Sequence, residues 1–463
     1  MGVLPAPDRV SERDWRGLDE VVSGRVLRPS DAGFGAVGSA FNERFAATTP
    51  AGVVTVADTD DIRHALAWAR TTGISAVVRA GGHSYSGASV GTGLVIDLSR
   101  LRTVTADGRT GLVTAAAGAT MSDVYAALQP HEMAFALGNG ASVGIAGLTL
   151  GGGCGATSRV HGLTADALVA TTVLTADGEL LHCDARENAD LFWACRGGGG
   201  GNFGVTTSFT FQARPVADCS TYLLLFDRAD AEKVFTVAQQ VVGSAPDEFA
   251  ARTGVARSRD GAVVSVIGQH LGPAAELREI LDPVLSVARP LRADIRDRTY
   301  WEAKDDLLHE TAGGAFAVRT DVLTRPLPDA GIETMLALVD AWPGSGNPDG
   351  GGAALFSWGG AINRVGAADT AFPHRDAMFL LSLDTSWVTA DAPATVRRNL
   401  DWLAELREAL APYGAGRSYL NFADPDLAEW RTAYHGANYP RLVEVKNRYD
   451  PEGFFTAPQG VGT

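Results

Sequence analysis

The sequence predicts an α+β fold of two domains, one glycine-rich with short strands and helices, the other an antiparallel sheet covered by helices. The length of 463 residues exceeds what a single hydrophobic core ordinarily supports. From about residue 50 to 215, β-rich runs alternate with helical segments and glycine-rich turns. From about residue 218 to 415, alternating strands are separated by amphipathic helices, and few parallel crossover units are present.

Elements at the start of the first region follow from hydrophobic periodicity and turn residues. A strand begins at Val53 (VVTVA), and Thr59 or Asp60 can cap the helix that follows. That helix places four apolar side chains on one face: Ile62, Ala65, Leu66 and Ala69. The next strand, AVVRA, ends at Ala80 and runs into GGHSYSG.

The same reasoning continues to the end of this region. A strand begins at Leu94 (LVIDLS), and a helix begins near Thr120 (TMSDVYAALQ). Asp177-Gly178 lies between two β-branched runs in the segment from Leu168, which predicts a hairpin. The strand VTTSFTFQ then closes the region.

The second region is predicted to consist of strands and covering helices. The segments VVSVIGQHL, ALFSWGGAI and MFLLSLDTSW are predicted strands, and ADAEKVFTVAQQVV and TVRRNLDWLAELREAL are predicted helices. The stretch PGSGNPDGGG from Pro343 has the composition of a loop. The tail from about residue 416 is again rich in motifs, with YLNF, NYPRL and DPEGFF.

Composition excludes several classes of partner. The formal net charge of −15 argues against nucleic acid, because phosphate binding needs concentrated Lys and Arg. No apolar run reaches the roughly 20 residues of a membrane-spanning helix, so we expect no membrane partner. The first residues carry no signal-peptide pattern, which favours a cytoplasmic protein. The four cysteines lack metal-type spacing, so we expect no metal, while a disulfide stays open.

A first glycine-rich loop follows the AVVRA strand. Its glycines let main-chain N–H groups approach an anion closely. The loop comprises Arg79, Ala80, Gly81, Gly82, His83, Ser84, Tyr85, Ser86 and Gly87. A tight strand-to-loop turn would also explain these glycines, and His83 taken alone fits a hydrogen-bonded loop histidine.

Two further glycine-rich stretches follow. Residues 138–155 (GNGASVGIAGLTLGGGCG) and 193–204 (WACRGGGGGNFG) suggest backbone pressed against a planar or phosphate-bearing ligand. No stretch ends in the Gly-Lys-Ser/Thr of a P-loop, and a dinucleotide fingerprint here lacks its helix and acidic ribose partner. Cys154 taken alone fits a small core residue.

Together these segments resemble the FAD domain of the vanillyl-alcohol-oxidase / p-cresol-methylhydroxylase superfamily, and more narrowly its berberine-bridge-enzyme-like branch. RAGGHSYSG is similar to the loop whose histidine is bonded to the flavin 8α-methyl group, which is His83 here. GLTLGGGCG is similar to the loop whose cysteine is bonded to flavin C6, which is Cys154 here. Residues 190–206 and 438–451 resemble two further family segments, and the likeness is loose between about 220 and 370.

The resemblance implies a two-lobed FAD-binding domain of residues 1–217, completed by a return segment of residues 417–463. Residues 218–416 are then a substrate-binding domain with an antiparallel sheet. FAD is expected to be covalently attached through His83 and Cys154. The other implied cofactor contacts are Arg79, Gly81, Gly82, Ser84, Tyr85, Ser86, Gly87, Gly144, Gly147, Gly151, Gly152, Gly155, Asn202, Gly204, Val205 and Asn438.

The resemblance also implies a general base. Tyr439 matches the tyrosine of the family's Asn-Tyr pair, which takes a substrate hydroxyl proton while hydride passes to the flavin. An unperturbed tyrosine has a pKa of about 10, so this role needs a site that stabilises the phenolate, and a packing aromatic is the alternative. In MFLLSLDTSW, Leu383 and Asp384 face opposite sides of the strand. Asp384 assists Tyr439 if it faces the pocket, and no second helper exists if Leu383 does.

Four more side chains are pocket candidates with structural alternatives. His374 and Arg375 line the pocket or else have a structural role at the end of a helix or strand. Trp358 and Trp387 stack on a planar or sugar substrate or else pack in a core.

The function implied by the resemblance is two-electron oxidation of a C–OH, C–N or C–H centre, with the reduced flavin reoxidised by O2 to give hydrogen peroxide. The implied substrate is a carbohydrate, or a glycosylated or polycyclic natural product, and it and O2 are the expected partners. Two alternatives stay open. An oxidative cyclase or dehydrogenase of secondary metabolism shares every motif, and a flavoprotein that sequesters a planar ligand is the non-enzymatic alternative.

Overall fold

The structure is a computed structural model that describes residues 10–308 and 314–463. Its helices, in chain order, are α1 (Glu12–Val21), α2 (Phe34–Gly38), α3 (Thr59–Thr72), α4 (Met121–Leu128), α5 (Ile145–Leu150), α6 (Ser158–His161), α7 (Ala189–Ala194), α8 (Ala231–Ser244), α9 (Ala274–Val287), α10 (Tyr300–Leu307), α11 (Asp329–Asp340), α12 (Pro393–Leu410), α13 (Trp430–His435) and α14 (Tyr439–Tyr449).

The strands pair into four sheets within the described residues. In chain order they are β1 (Arg25–Leu27), β2 (Gly52–Thr55), β3 (Ala76–Arg79), β4 (Leu94–Asp97), β5 (Val104–Asp107), β6 (Leu112–Ala116), β7 (Met133–Ala134), β8 (Leu168–Leu174), β9 (Leu180–Asp184), β10 (Val205–Gln212), β11 (Arg214–Pro215), β12 (Cys219–Asp227), β13 (Phe249–Ser258), β14 (Gly261–His270), β15 (Arg292–Arg298), β16 (Ala315–Leu323), β17 (Gly351–Ser357) and β18 (Phe379–Trp387).

The N-terminal half contains a small mixed sheet and an antiparallel sheet. The order β1-β2-β4-β3 has parallel pairs except for the edge strand β1, and β5-β6-β10-β8-β9 is antiparallel throughout. Strands β8 and β9 form the predicted hairpin, with Gly178 at a φ of +89° in its turn. The short pair β11-β7 completes this half.

The second half is built on one seven-stranded sheet in the order β15-β12-β14-β13-β17-β18-β16. Every pair in it is antiparallel. Helices α8, α9, α11 and α12 bury their apolar faces against one side of this sheet. The prediction of an α+β fold with a helix-covered antiparallel sheet is therefore confirmed.

Two large hydrophobic clusters divide the chain. The first runs from Trp15 to Ala213 and also takes in Tyr300, Trp301 and Ala371 from the second half and Leu442, Val445, Phe455 and Val461 from the C-terminal segment. The second runs from Tyr222 to Leu410. A smaller cluster, which we call the interface cluster, lies between them and consists of Leu163, Val322, Trp358, Ile362, Phe372, Ala377, Leu380 and Tyr419.

Helix α3 shows how local sequence signals were realised. Its four predicted core residues are buried as expected. The cap differs from the prediction: the Asp58 carboxylate accepts from the N–H groups of Asp60 and Asp61, so Asp58 precedes the helix and Thr59 is its first residue. A carboxylate one position earlier reaches two unpaired N–H groups that the Thr59 side chain, inside the helix, does not.

Among the described residues, no helix is both long and apolar enough to cross a membrane. In the same part of the chain, no three His, Cys, Asp or Glu side chains come together as metal ligands would.

Candidate active site

Two of the predicted glycine loops lie back to back. A Cβ atom built on Gly81 would be 2.3 Å from the Gly144 nitrogen, and one built on Gly144 would be 2.6 Å from the Gly81 nitrogen. Any side chain at either position would force the loops apart, because the obstacle is backbone. Gly147 on α5 faces open space, with no atom within 4 Å of a Cβ placed there.

The first loop presents a row of free N–H groups. Gly82 has a φ of +76°, and a Cβ there would be 2.6 Å from the guanidinium of Arg79. Arg79 in turn donates to the Ser39 carbonyl over 2.7 Å. Within residues 10–308 and 314–463, no protein group accepts a hydrogen bond from the main-chain N–H groups of residues 81–86. Such a row of donors is suited to a diphosphate.

His83 is held as a neutral imidazole. Its ring packs on Phe41, with ring centroids 4.1 Å apart. Burial, with a smaller contribution from the charge of Arg79, lowers the pKa of His83 to about 4. At neutral pH the ring therefore keeps a nitrogen lone pair, which a histidine needs in order to bond to an electrophilic carbon.

Cys154 lies half-buried against the interface cluster. Burial raises the pKa of its thiol to about 11, while Tyr419 and Trp358 beside the sulfur act in the opposite direction. The Tyr419 hydroxyl accepts from the Gly153 N–H over 3.1 Å and from Asn421 Nδ2 over 3.0 Å. Two donors to this oxygen leave its own proton free to point at the sulfur.

Aromatic rings connect the surroundings of His83 to those of Cys154. Phe41 lies 6.0 Å from Phe316, which meets Tyr85 edge-on at 4.9 Å. Tyr85 stacks on Phe422 at 5.2 Å, and Phe422 packs with Cys154 on the interface cluster. These rings form one apolar wall, which we call the aromatic wall, of a cleft between the two large clusters.

The seven-stranded sheet, whose edge strand β16 carries Phe316 of the aromatic wall, supplies the other wall through β13, β17 and β18. Its strand β18 decides whether Leu383 or Asp384 faces the cleft. Leu381 and Leu383 of β18 lie in the second large cluster, so strand alternation turns Ser382 and Asp384 to the cleft. Asp384 is the exposed residue of β18, open to the cleft although protein surrounds its other sides. The protein around the carboxylate raises the pKa of Asp384 to about 6. The charge of Arg252 acts to lower this pKa, and the charge of Asp349 acts to raise it.

The pKa of Tyr85 reflects two ionisable groups near its hydroxyl, Asp384 and Cys154. Burial raises the pKa of the Tyr85 hydroxyl to about 12, and the nearby Asp384 and Cys154 add to the increase. Asp384 pairs with Val318, two residues along β16 from Phe316, and Phe316 contacts Tyr85. Phe422 stacks on Tyr85 and packs with Cys154 on the interface cluster, so all three groups border one cleft. Arg252 on β13 faces the same cleft, with its guanidinium 5.4 Å from the ring centroid of Phe356.

The position of Tyr439 corrects the expectation for its hydroxyl. That oxygen accepts from Arg431 Nε over 3.2 Å and from the Gly462 N–H over 3.3 Å, and its ring packs on Trp430 and His435. None of these residues belongs to the aromatic wall. Tyr439 begins α14, which is anchored on the first large cluster, so its side chain turns to the C-terminal segment rather than to Asp384.

Two of the predicted cofactor contacts, Asn438 and Asn202, form hydrogen bonds within the chain. Asn438 Nδ2 donates to the carbonyls of Ala367 and Thr370, which fixes the start of α14. Asn202 donates to the Gly198 carbonyl and accepts from the Val461 N–H, which ties the third glycine loop to the C-terminus. Their side-chain polar groups are thereby engaged within the chain.

The remaining predicted cofactor contacts lie on the glycine-rich loops or, for Val205, at the start of β10. Ser84 Oγ accepts from the Ala88 N–H over 2.9 Å and lies 3.4 Å from Ser86 Oγ, so both serve the first loop. The other glycines pack closely on neighbouring chain, since a Cβ placed on any of them would lie under 3.0 Å from another atom: Gly87, Gly151, Gly152, Gly155 and Gly204. Val205 is buried at the start of β10, paired with Leu174.

Of the four further candidates, Trp358 lies beside Cys154, and the other three lie away from the open cleft. His374 is buried, with Nε2 2.9 Å from the Ser418 carbonyl oxygen. Arg375 forms a bidentate salt bridge with Asp166, with N–O distances of 2.7 and 2.8 Å. Trp358 belongs to the interface cluster and Trp387 to the second large cluster.

Several cleft residues carried no assignment in the sequence: Phe41, Asn42, Arg252, Phe316, Tyr419 and Phe422. Asn42 is buried, and its Nδ2 donates to the carbonyls of Tyr85 and Phe316, joining the first loop to β16. The YLNF motif was a usable signal, since Asn421 also packs on Gly151 and donates to the Leu148 carbonyl. Strand alternation was the only signal for Arg252.

These donors fit a flavin dinucleotide. The free N–H groups of the first loop suit its diphosphate, and the close contact of Gly81 with Gly144 leaves no side chain in the way. His83 and Cys154 border the same cleft as the aromatic wall, whose rings suit a planar ring system.

Comparison with known proteins supports an FAD-binding domain. Residues 50–184 match the family described as FAD binding domain, and residues 418–462 match the family described as Berberine and berberine like. The uncharacterized FAD-linked oxidoreductase YgaK of Bacillus subtilis is 31% identical over 95% of this chain and 97% of its own. Berberine bridge enzyme-like 28 of Arabidopsis thaliana is 28% identical over 96% of this chain and 92% of its own.

Solved structures share the fold. BBE-like 1 of Physcomitrella patens superposes with a TM-score of 0.88 at 24% identity, covering 96% of this chain and 98% of its own. A chitooligosaccharide oxidase superposes with a TM-score of 0.86 at 24% identity, covering 97% of this chain and 99% of its own. At this level of identity the likeness establishes the architecture of both domains.

Proposed function

Because this chain belongs to the berberine-bridge-enzyme-like family of FAD-linked oxidoreductases, we propose that it is an oxidase acting on a hydroxyl-bearing substrate, a sugar or a hydroxylated natural product. The proposed reaction removes two electrons from a C–OH centre and passes them to O2, which gives hydrogen peroxide. A chitooligosaccharide oxidase with the same fold supports the sugar class.

One observation carries the proposal. Asp384 presents a carboxylate to the cleft between the aromatic wall and the sheet, with a pKa raised to about 6. A general base works best when its pKa lies near the operating pH, since it is then deprotonated and still basic. Asp384 therefore replaces Tyr439 as our candidate for the group that takes the substrate hydroxyl proton.

The neighbours of Asp384 suit a proton acceptor. The positive charge of Arg252 lowers the pKa of Asp384 and so favours the ionised form of its carboxylate. Tyr85 keeps its proton, because its pKa lies near 12, and so serves as a hydrogen-bond donor to the substrate oxygen rather than as a base. FAD, when bound, supplies the two-electron acceptor for the carbon-bound hydrogen.

We further propose that FAD is attached covalently at His83 and Cys154. Each link would replace one C–H bond of the flavin, and the two electrons released would pass to O2. The neutral, unprotonated ring of His83 supports the first link. The second link needs the Cys154 thiol to lose a proton despite its raised pKa, and the Tyr419 hydroxyl beside the sulfur supports that step by donating a hydrogen bond to the thiolate.

The experiment has two parts. Peroxide release is measured with neutral and acidic mono- and oligosaccharides and with hydroxylated aromatic compounds, and at least one is expected to sustain turnover. Bleaching of the bound flavin by that substrate is then followed without oxygen in Asp384→Asn, with the exposed Asp282→Asn on α9 as the matched control.

Asp384→Asn is expected to slow bleaching by about 10²–10⁴-fold at unchanged flavin content, because it removes a positioned base and keeps the shape. Asp282→Asn is expected to match the parent. Unaltered bleaching in Asp384→Asn would place the base elsewhere, and bleaching without peroxide would favour a dehydrogenase or oxidative cyclase.

A further inference from the structure

Arg252 stands on the cleft side of the seven-stranded sheet. Strand register places it beside Phe356 of β17, and alternation along β13 turns Ala251 and Val255 into the second large cluster. A Cβ built on Gly254 would be 3.2 Å from Arg252 Nη1, so the guanidinium lies over this glycine. The long side chain therefore runs along the sheet, on the face that also carries Asp384.

The floor around this guanidinium is lined by small residues. Gly254 pairs with Ala354 in the sheet, and Gly352 pairs with Asp384. Large side chains at these positions would fill the space between Arg252 and Asp384. The sheet thus leaves room for a ligand group between a cation and a carboxylate.

The guanidinium of Arg252 is unpaired in the described part of the chain, where it forms neither a hydrogen bond nor a salt bridge, and it is exposed to the cleft. Other arginines turned inward have acceptors in the protein: Arg159 donates to the Trp358 carbonyl over 2.7 Å, and Arg375 pairs with Asp166. A guanidinium offers five donors in a fixed planar fork, which matches a carboxylate through two parallel hydrogen bonds. Its acceptor is therefore expected from the ligand.

The surrounding charges narrow the class of acceptor. Asp384 lies close enough for each residue to shift the pKa of the other. A dianionic phosphate would meet the Asp384 charge with only one cation to compensate it, whereas a carboxylate carries a single charge. The aromatic ring of Phe356 beneath the guanidinium leaves its edges as the free donors.

We propose that Arg252 is the specificity-determining residue of the cleft and that it binds a carboxylate of the substrate. The substrate class is then a hydroxylated carboxylic acid, either a sugar acid or a hydroxylated aromatic acid, whose reactive hydroxyl lies at Asp384 while its carboxylate lies at Arg252. This inference rests on the proposed function in that it takes the Asp384 cleft as the substrate site.

Matched acidic and neutral probes test it at equilibrium. Methyl β-D-glucuronide is compared with methyl β-D-glucoside, and 4-hydroxybenzoate with 4-hydroxybenzamide, because each pair differs in charge at a constant ring. Dissociation constants are measured on the flavin-loaded protein by calorimetry and by perturbation of the flavin absorbance. The variants are Arg252→Gln, Arg252→Lys and, as a matched control, Arg259→Gln on the exposed turn between β13 and β14.

In the parent, the acid of at least one pair is expected to bind on the order of 10- to 100-fold more tightly than its neutral partner, as for a charge-assisted pair of hydrogen bonds. Arg252→Gln is expected to abolish this preference with little change for the neutral partner. Arg252→Lys should keep part of it, and Arg259→Gln all of it.

Equal binding of acid and neutral probe by the parent in both pairs would overturn the proposal. So would an acid preference that survives Arg252→Gln in a variant with normal flavin content and thermal midpoint. Acid preference without peroxide from any substrate would leave the Arg252 assignment standing and remove the oxidase proposal, so the two failures are distinguishable.

Discussion

Asp384 and Leu383 are neighbours in β18, yet one faces the cleft and the other the second large cluster. Protein around the Asp384 carboxylate raises its pKa to about 6, and Arg252 keeps that pKa from rising further. His83 shows the opposite direction, since burial lowers its pKa to about 4 and leaves it neutral. At the residue scale, burial sets the ionisation state of both groups.

The pKa of Asp384 gives a testable pH dependence. A base must be deprotonated, so kcat/KM is expected to rise as the pH increases through about 6 and then to level off. Because the charge of Arg252 lowers this pKa, Arg252→Gln is expected to move the midpoint of the rise to higher pH. Steady-state rates with a neutral substrate between about pH 5 and pH 8 measure both midpoints. A profile unchanged by Arg252→Gln would contradict the assignment of the base.

Tyr439→Phe tests whether Tyr439 is the general base, as the family resemblance implies, or a structural residue, as its contacts indicate. The change removes a hydroxyl that accepts from Arg431 and from the Gly462 N–H, so we expect a loss of about 1 kcal/mol in the free energy of unfolding. Flavin bleaching without oxygen is expected to keep the parent rate. A fall in that rate of the size expected for a lost base would return the catalytic role to Tyr439.

At the scale of elements, the buried pair of Arg375 with Asp166 joins the loop before β18 to the turn after the second glycine loop. Arg375 also donates to the Ile362 carbonyl and to Thr370 Oγ1. Its side chain is 2% exposed and that of Asp166 is 10% exposed, so water compensates neither charge if the other is removed.

Arg375→Leu is therefore expected to lower the free energy of unfolding by about 3–5 kcal/mol, because it leaves the Asp166 carboxylate buried without its partner. Arg417→Leu is the matched control, since Arg417 pairs at 2.7 Å with Asp376, a carboxylate that is 64% exposed. That change is expected to cost at most about 1 kcal/mol. Denaturant unfolding of both variants measures the difference, and equal losses would show that burial of the pair does not matter.

At the scale of the whole molecule, the cleft exists because two cores meet without merging. Glycine loops of the first large cluster and the open face of the seven-stranded sheet form its opposite sides. Asn42 bridges them through the carbonyls of Tyr85 and Phe316. Two links to the flavin, at His83 and at Cys154, would therefore hold the cofactor at the boundary of the domains.

Covalent attachment is expected to survive denaturation. His83→Ala and Cys154→Ala should each keep FAD on the polypeptide through the other link, whereas the double variant should release it. Flavin fluorescence after denaturing electrophoresis and the intact mass of each variant measure attachment. Colourless denatured parent protein would rule out both links, and loss of flavin in His83→Ala alone would leave only the histidyl one.

Features that depend on residues close together in the sequence could be predicted from the sequence. Periodicity within α3 placed its buried face correctly, and the Asp177-Gly178 hairpin formed as expected, because both depend on residues close in sequence. The cap at Asp58 was missed by one position, since several neighbouring side chains can accept the same N–H groups.

The sequence alone thus determined the α+β class, the glycine loops, His83 and Cys154 as candidates, and the choice between two faces for Leu383 and Asp384. Tertiary structure decided that Asp384 faces the cleft, that Arg252 joins it there, and that Tyr439 turns to the C-terminus. The reason is register. Arg252, Gly352 and Asp384 lie on three strands far apart in the chain, and only their pairing in one sheet brings their side chains onto one face.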